Sequence, residues 1–414
     1  MSFRLGVVGA GQLSREFMPL WTSHPRISSV IVADRHPERR AAFARDFGVE
    51  TETDADALLD STVDAVAIFT QRHLHGPIAI AALEAGKHVY SAVPMAIDLG
   101  EIEAIIRIVR ERRLVYTMGE TCLYYPGAMF CRQEMRRGGF GDFVYAESQY
   151  IHDMRHGFVE AFQHSGGPDW QRVAGFPPMY YSTHTVGPLL AATGAHVTRV
   201  AAFGIDDRAD DGIFGVGRNL WDNPFSNQVA LHQLSNGGVH RVVEFRRAGF
   251  RPPGTHIGRF VGTEGTYEFD GFRHTMHRAD RDGTMQVDDV SALLNTTEFE
   301  TRCADPEFAE DLANGRVEDV AAAPILRRRV LPAAFDGVGS AHRGTHPHLV
   351  DDFARAVVAG ALPPVDAWAA ARATIPGILS HHSALAGGMP IDVPDHGDPP
   401  EDWPRLAERI LGDG

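Results

Sequence analysis

The sequence predicts an α/β protein in two parts: an N-terminal doubly wound parallel sheet, and a C-terminal α/β domain with a large, mostly antiparallel open sheet. Three observations carry that expectation. Apolar strand-like runs alternate with amphipathic helical runs through the first 120 residues, the pattern of a parallel sheet covered by helices. From about residue 122 the rhythm changes to strands joined by glycine-rich turns, and helical periodicity returns near the C-terminus. A chain of 414 residues is long for one domain and comfortable for two, which puts the parts at residues 1–121 and 122–414.

Each element has its own reason. "RLGVVGAG" is a continuous apolar run ending in glycines, as a strand buried on both faces should be, and residues 12–22 suit a helix. "SSVIVAD" and "VDAVAIFT" are further buried strands; the charged helix "PERRAAFARDFG" between them stops at Gly48. "HGPIAIAALEAG" is a helix stopped by Gly86, "KHVYSAV" a fourth strand, and "LGEIEAIIRIVRERR" an amphipathic helix after it. Beyond residue 122, "GDFVYAESQYIHDM", "HVTRVAAFG", "FSNQVALHQLSNGGVHRVVEFRR" and "HIGRFVGTEGTYEFD" read as strands, with Asn236-Gly237-Gly238 as a turn. Residues 275–340 are polar and give no clear pattern, whereas "HPHLVDDFARAVVAG" and "VDAWAAARATIPGILSHHSALAGG" are helical.

Hydrophobic residues at 44% and charged residues at 22% are ordinary for a globular chain. The net charge, 39 − 54 = −15, disfavours nucleic acid and anionic membranes as partners. Cys122, Cys131 and Cys303 are sparse and lack metal spacing, which suits a reducing compartment. The N-terminus enters a strand directly, without a signal peptide, and no apolar run approaches the roughly 20 residues of a membrane helix. The expectation is a soluble cytoplasmic protein. The pairs His73 and His75, His346 and His348, and His381 and His382 lack zinc-site spacing, so no metal is expected; His346-Pro347-His348 reads as a helix start.

The string Gly9-Ala10-Gly11-Gln12-Leu13-Ser14 sits between a buried strand and a helix. Glycines there let the backbone turn tightly and approach a pyrophosphate at the positive end of the helix. Asp34 ends the next strand, 23 residues past Gly11, where a carboxylate accepts ribose hydroxyls and repels a 2′-phosphate. Arg35 beside it suits NADP instead; the carboxylate favours NAD as cofactor.

With Thr70 and His75 in "TQRHLH", with "ALEAGKHV" and "VGTEG", and with the ending "HPHLVDDFARAVVAG…GGMPIDVP", the chain resembles the glucose–fructose oxidoreductase, inositol dehydrogenase and rhizopine catabolism (Gfo/Idh/MocA) family. The resemblance implies an N-terminal Rossmann domain, NAD(P), sugar or polyol substrates, and a homo-oligomer (dimer or tetramer) formed through the C-terminal sheet. It also puts Thr70, Arg72, His75, Val93 and Pro94 at the cofactor. Two departures stand out: Val93, in "AVP", replaces the lysine of the family's Glu-Lys-Pro, and Gln71-Arg72 replaces Pro-Asn near the nicotinamide.

A narrower resemblance is to the NAD-dependent glycoside hydrolases of the α-N-acetylgalactosaminidase branch. It rests on Glu120 in "MGETCLYYP", Tyr150 in "AESQYIHDM" and His184 in "YYSTHTVGP", with Ser182 where that branch has proline. It implies oxidation at sugar C3, removal of the C2 proton, loss of the aglycone, addition of water and re-reduction. Histidine exchanges protons with hydroxyls near neutral pH, so His184 suits the C3 hydroxyl. Tyr150 suits the C2 proton if nearby cations such as His152 or Arg155 lower its pKa from about 10. Glu120 orients the sugar or assists the leaving group or water. His152, Arg155 and His156 beside the tyrosine, and Trp221 with its flat ring, are candidates for substrate contact. With Arg246 and Arg247, they leave room for an anionic glycoside such as a sulfosugar, the substrate of a sister group of sulfoquinovosidases. Two other functions stay open: a sugar or polyol dehydrogenase with another group in place of the lysine, and a non-catalytic NAD-binding sensor.

Overall fold

The computed structural model describes residues 2–248, 254–271, 273–279, 282–295, 323–338 and 341–407; Cys303 lies outside the described residues. Two compact units form. The first contains Met1–Thr121, Arg328–Ala371 and His396–Gly414, the second Cys122–Arg327 and Arg372–Asp395.

The apolar runs of the first unit become six strands, β1 (Phe3–Val8), β2 (Ile27–Ala33), β3 (Glu50–Glu52), β4 (Ala65–Ile68), β5 (His88–Ser91) and β6 (Tyr116–Met118). All are parallel, in the order β3-β2-β1-β4-β5-β6. The order reverses between β1 and β4, and open α/β sheets bind ligands beyond the carboxyl ends of strands at such a switch point. The helix Gln12–Ser23 follows β1 and buries Phe17, Met18, Leu20 and Trp21. Trp21 meets Phe17, Tyr90 and Phe353 with ring centroids 6.1, 5.3 and 6.1 Å away, and Phe353 also meets Phe3 at 6.2 Å.

Phe353 belongs to the helix His346–Ala359, which does start at the predicted His-Pro-His. It explains why the C-terminal half does not stay in one piece. The helix's apolar side completes the aromatic core of the first unit. Its buried Asp351 and Asp352 meet His24 at 3.3 Å and Arg329 at 3.0 Å within that unit. A cut at 121/122 alone misses this return. His346 stacks on Phe17 at 4.0 Å, and its Nε2 lies 2.9 Å from His342 Nδ1.

The second unit is built on nine strands: β7 (Phe143–Ile151), β8 (Val197–Asp206), β9 (Phe225–Leu234), β10 (Val239–Phe245), β11 (Gly254–Gly262), β12 (Gly265–Phe269), β13 (His274–Ala279), β14 (Met285–Asp289) and β15 (Ile391–Asp392). Their order is β14-β13-β12-β11-β7-β10-β9-β8-β15. Neighbours run antiparallel except β7 and β10, which are parallel at the centre. Strand alternation turns Ala146, Ser148 and Tyr150 of β7 and His240, Val242 and Glu244 of β10 inward. The helices Pro126–Arg136 and Thr183–Thr193 pack on that face. Among the described residues, no helix is long and apolar enough to cross a membrane.

Candidate active site

The glycine loop of the first unit leaves β1 at the switch point. Gly9 has φ +102°, and a Cβ there would come within 2.6 Å of the Phe69 carbonyl oxygen. Gly11 is different. Its backbone is extended, with φ −94°, and a Cβ would meet nothing within 4 Å. It is also the N-cap of the helix Gln12–Ser23 and offers the helix's first amides no side-chain cap. Gln12 and Leu13 open that helix, and Ser14, fully buried, donates to the Gly11 carbonyl at 3.0 Å. Asp34 accepts the amides of Ala10 and His36, each at 2.8 Å. A carboxylate oxygen has room for more than one donor, so both stay able to accept ribose hydroxyls. The residues present fit a dinucleotide.

These two glycines give separable predictions. Gly9→Ala should lower stability by about 1–3 kcal/mol, the cost of a strained backbone conformation, as read by thermal unfolding. Gly11→Ala should leave the unfolding temperature unchanged and weaken NAD binding in calorimetry, because its Cβ occupies space that only a ligand would use. A Gly11→Ala protein with unaltered NAD affinity would contradict this use of the loop.

His75 is 1% exposed and sits between two loops. Its Nδ1 lies 2.8 Å from the Pro94 carbonyl oxygen and its Nε2 3.1 Å from that of Thr70. Burial pushes its pKa down to about 4, against the raising effect of the two carbonyls, so the ring is neutral and donates through one nitrogen at a time. It ties the loop after β4 to the loop after β5, where Val93 is 7% exposed and precedes a cis Pro94. Thr70 and Arg72 are half-buried, and Arg35 is exposed. Glu120, 1% exposed, follows β6 in this unit; after burial, its charge is the second influence raising the Tyr90 phenol.

The second unit brings Tyr150 and His184 together. Their rings are 5.1 Å apart and nearly perpendicular, and Tyr181 lies 4.8 Å from His184. The Tyr150 hydroxyl is 2.7 Å from His152 Nδ1, and His152 Nε2 is 2.8 Å from the His156 carbonyl oxygen. A carbonyl only accepts, so Nε2 carries the proton, and the neutral imidazole accepts the tyrosine proton at Nδ1. Gly157, at φ +82°, turns the chain where that carbonyl is presented. Phe158 stacks on His152 at 3.7 Å and holds its plane.

Arg155 does not supply the expected cation. It is largely exposed and is bound at 3.0 Å to Asp153, which also accepts the Ala248 amide. The cation over the Tyr150 ring is Arg246, 4.9 Å from its centroid. Nor does the Tyr150 pKa fall as expected. Burial raises it well above the usual value, Tyr181 and Glu244 add to that, and Arg246 opposes them. Proton loss from Tyr150 therefore depends on its transfer to His152 rather than on free ionisation.

Sequence reasoning missed Glu244. It is fully buried, accepts from Arg246 at 3.2 Å and is 3.1 Å from the Thr185 hydroxyl. Burial pushes it up to about 8, with Arg246 and His184 pulling it back. The signal was a carboxylate at an inward position of the apolar run "RVVEF". The arginines singled out for an anionic sugar all have carboxylate partners: Arg155 has Asp153, Arg246 has Glu244, and Arg247 has Asp207 and Asp211. His156 is buried and contributes its backbone to the relay. Trp221 is half-buried and packs edge-on against Phe176 at 5.0 Å.

Residues 3–120 match the model of an oxidoreductase family with an NAD-binding Rossmann fold (Gfo/Idh/MocA). The chain is 32% identical over 148 residues to the UDP-N-acetylglucosamine 3-dehydrogenase of Acidithiobacillus ferrooxidans, covering 36% of this chain and 45% of that protein. It is 24% identical over 288 residues to a glycosyl hydrolase family 109 protein of Saccharopolyspora erythraea, covering 64% of this chain and 62% of that protein. These matches thus span about half to three-fifths of the relatives' own length. The solved structure of an oxidoreductase domain protein from Kribbella flavida shares the fold, with a TM-score of 0.71 at 19% identity, over 95% of this chain and all of that one.

Proposed function

We propose that this chain, whose residues 3–120 match the Gfo/Idh/MocA oxidoreductase family, is an NAD-dependent enzyme acting on a sugar, and specifically an oxidoreductive hydrolase of a pyranoside. The observation that carries this is the pairing of two proton-handling groups: Tyr150 hydrogen-bonded to His152, with the His184 ring 5.1 Å from Tyr150. A simple dehydrogenation needs one group to take one hydroxyl proton. A reaction that also removes a carbon-bound proton needs a second.

Bound NAD supplies a reversible acceptor for hydride from a sugar carbon, C3 in the resembling branch. His184 takes the proton of the hydroxyl on that carbon. A carbonyl there acidifies the C2 proton, which the Tyr150 oxygen accepts as its own proton passes to His152 Nδ1. The same pair returns a proton to C2 after the aglycone has left C1 and water has added, and His184 returns its proton to the C3 oxygen as that carbon regains the hydride that bound NAD would have held. Glu120 orients the sugar or assists the leaving group or water. Val93, apolar and buried, exchanges no proton, and His184 and Tyr150 take over the work of the family lysine. Copies of the chain assemble through the open sheet, whose exposed Val144, Phe203, Ile205 and Leu231 support that role.

The second reading is a sugar dehydrogenase with His184 as its only base, favoured by the similarity to the UDP-N-acetylglucosamine 3-dehydrogenase. Incubating a panel of glycosides with catalytic NAD in deuterated water separates the two. The hydrolase should release free sugar with deuterium at C2 and without net NADH. Stoichiometric NADH with the glycosidic bond intact would overturn it in favour of the dehydrogenase.

A further inference from the structure

We propose that Glu244 is a positioning residue that couples the two proton-handling groups, holding the first turn of the His184 helix through Thr185 and the cation over Tyr150 through Arg246. The inference rests on the reading of Tyr150 and His184 as the proton-transfer pair.

The register of the central strands puts Glu244 there. Glu244 lies directly across from Tyr150 on β7 and from Gln228 on β9, so the three side chains share the inner face. Its two oxygens then reach different elements. Oε2 accepts from Arg246 at 3.2 Å, and the same guanidinium lies 4.9 Å from the Tyr150 ring and 5.9 Å from that of Tyr181. Oε1 is 3.1 Å from the Thr185 hydroxyl, one residue beyond His184.

The hydroxyl geometry shows how the carboxyl is held. Thr185 Oγ1 is also 2.8 Å from the Ser182 carbonyl oxygen, but that oxygen already accepts the amides of Thr185 and Val186, which leaves the hydroxyl proton for Glu244. Donation from Thr185 and from Arg246 favours the carboxylate. Burial opposes both and pushes Glu244 up to about 8, so the carboxyl is poised to change its proton under mild conditions.

The consequence is electrostatic. Charged and titratable groups around Glu244 are Arg246 just past the end of its strand, His184 on the packed helix, Tyr150 from β7, and Tyr181 and Tyr125 near Tyr150. A neutral Glu244 leaves the charge of Arg246 to Tyr150 and favours loss of the phenolic proton. An imidazolium at His184 favours the carboxylate, which draws Arg246 back. One proton on Glu244 thereby links the state of His184 to the proton affinity of Tyr150.

The test needs no substrate. Full-length protein carrying 15N-histidine and 13Cζ-tyrosine is titrated by NMR, with His184→Gln and Tyr150→Phe used for assignment. The wild-type His184 ring should register two steps, its own protonation and a second near pH 8 as Glu244 ionises. In Glu244→Gln the upper step should vanish both from the His184 ring and from the Tyr150 Cζ shift, which reports the change at Glu244 while the phenol itself stays protonated. Thr185→Val, which removes only a hydroxyl, should move the upper step to higher pH and keeps the test open if Glu244→Gln misfolds. Titration curves for His184 and Tyr150 identical in wild type and both variants would overturn the proposal. A failed deuterium experiment would overturn the glycosidase reading and leave this coupling standing.

Discussion

Tyr150→Phe should abolish exchange of the sugar C2 hydrogen with solvent and slow glycoside turnover by roughly 10²–10⁴-fold, the usual contribution of one positioned acid–base group. The substitution is narrow. The ring keeps its contacts with Tyr181, His184 and Arg246, and only the hydroxyl bonded to His152 is removed. The structural cost should stay near 0.5–1.5 kcal/mol, the net value of one hydrogen bond. NAD affinity in calorimetry should be unchanged, because no cofactor residue is touched. NMR of product formed in deuterated water reads the result directly. Deuterium at C2 in the Phe variant would remove Tyr150 from its role and leave His184 or Glu244 as the base.

Acid should unfold the protein sharply, between roughly pH 4 and 6, because so many histidines are buried as neutral rings. Burial pushes His75 down to about 4 and His232, His348 and His381 to about 3, and sends His240 and His346 well below their ordinary value. In the unfolded chain each titrates near 6.5, so below that pH the unfolded form binds more protons. The stability they confer is complete above about 6.5 and is lost as pH falls toward their folded values. Six such groups give a limiting slope of up to about 8 kcal/mol per pH unit, against a total stability of about 5–15 kcal/mol. Glu244 acts in the opposite sense. Its folded pKa is raised, so its contribution is present in acid and is lost as pH rises through about 8. Circular dichroism across pH 3–9 checks both limbs, and a native spectrum persisting at pH 3.5 would contradict the acid one.

What the sequence made legible is what depends on neighbours along the chain. "RLGVVGAG" announces a buried strand and a tight turn, and both are there. Tyr150 and His184 were proposed from separate local motifs, and their rings lie 5.1 Å apart; the β9–β10 hairpin was legible because Asn236-Gly237-Gly238 makes a turn. The rest depends on pairing across long separations. The parallel alignment of β7 with β10 sets Glu244 opposite Tyr150, and no spacing in the sequence encodes that register. The same is true of the arginines. Arg155 and Arg246 look alike as residues near a candidate site, yet one is tied to Asp153 at the surface and the other lies buried over a tyrosine. Burial also reversed the expected shift of the Tyr150 pKa, since desolvation of the phenolate outweighs one nearby guanidinium.

The late return of the chain to its first unit has a consequence for biosynthesis. Phe353 closes the aromatic cluster around Trp21, yet it emerges from the ribosome 353 − 21 = 332 residues later. At roughly 5–20 residues per second, that interval is on the order of tens of seconds. The nucleotide-binding sheet forms early, but throughout this time Trp21 and Tyr90 lack the helix that covers them. The nascent chain thus carries an exposed aromatic face while strands β7 to β14 are being made, a natural point of engagement for a holding chaperone.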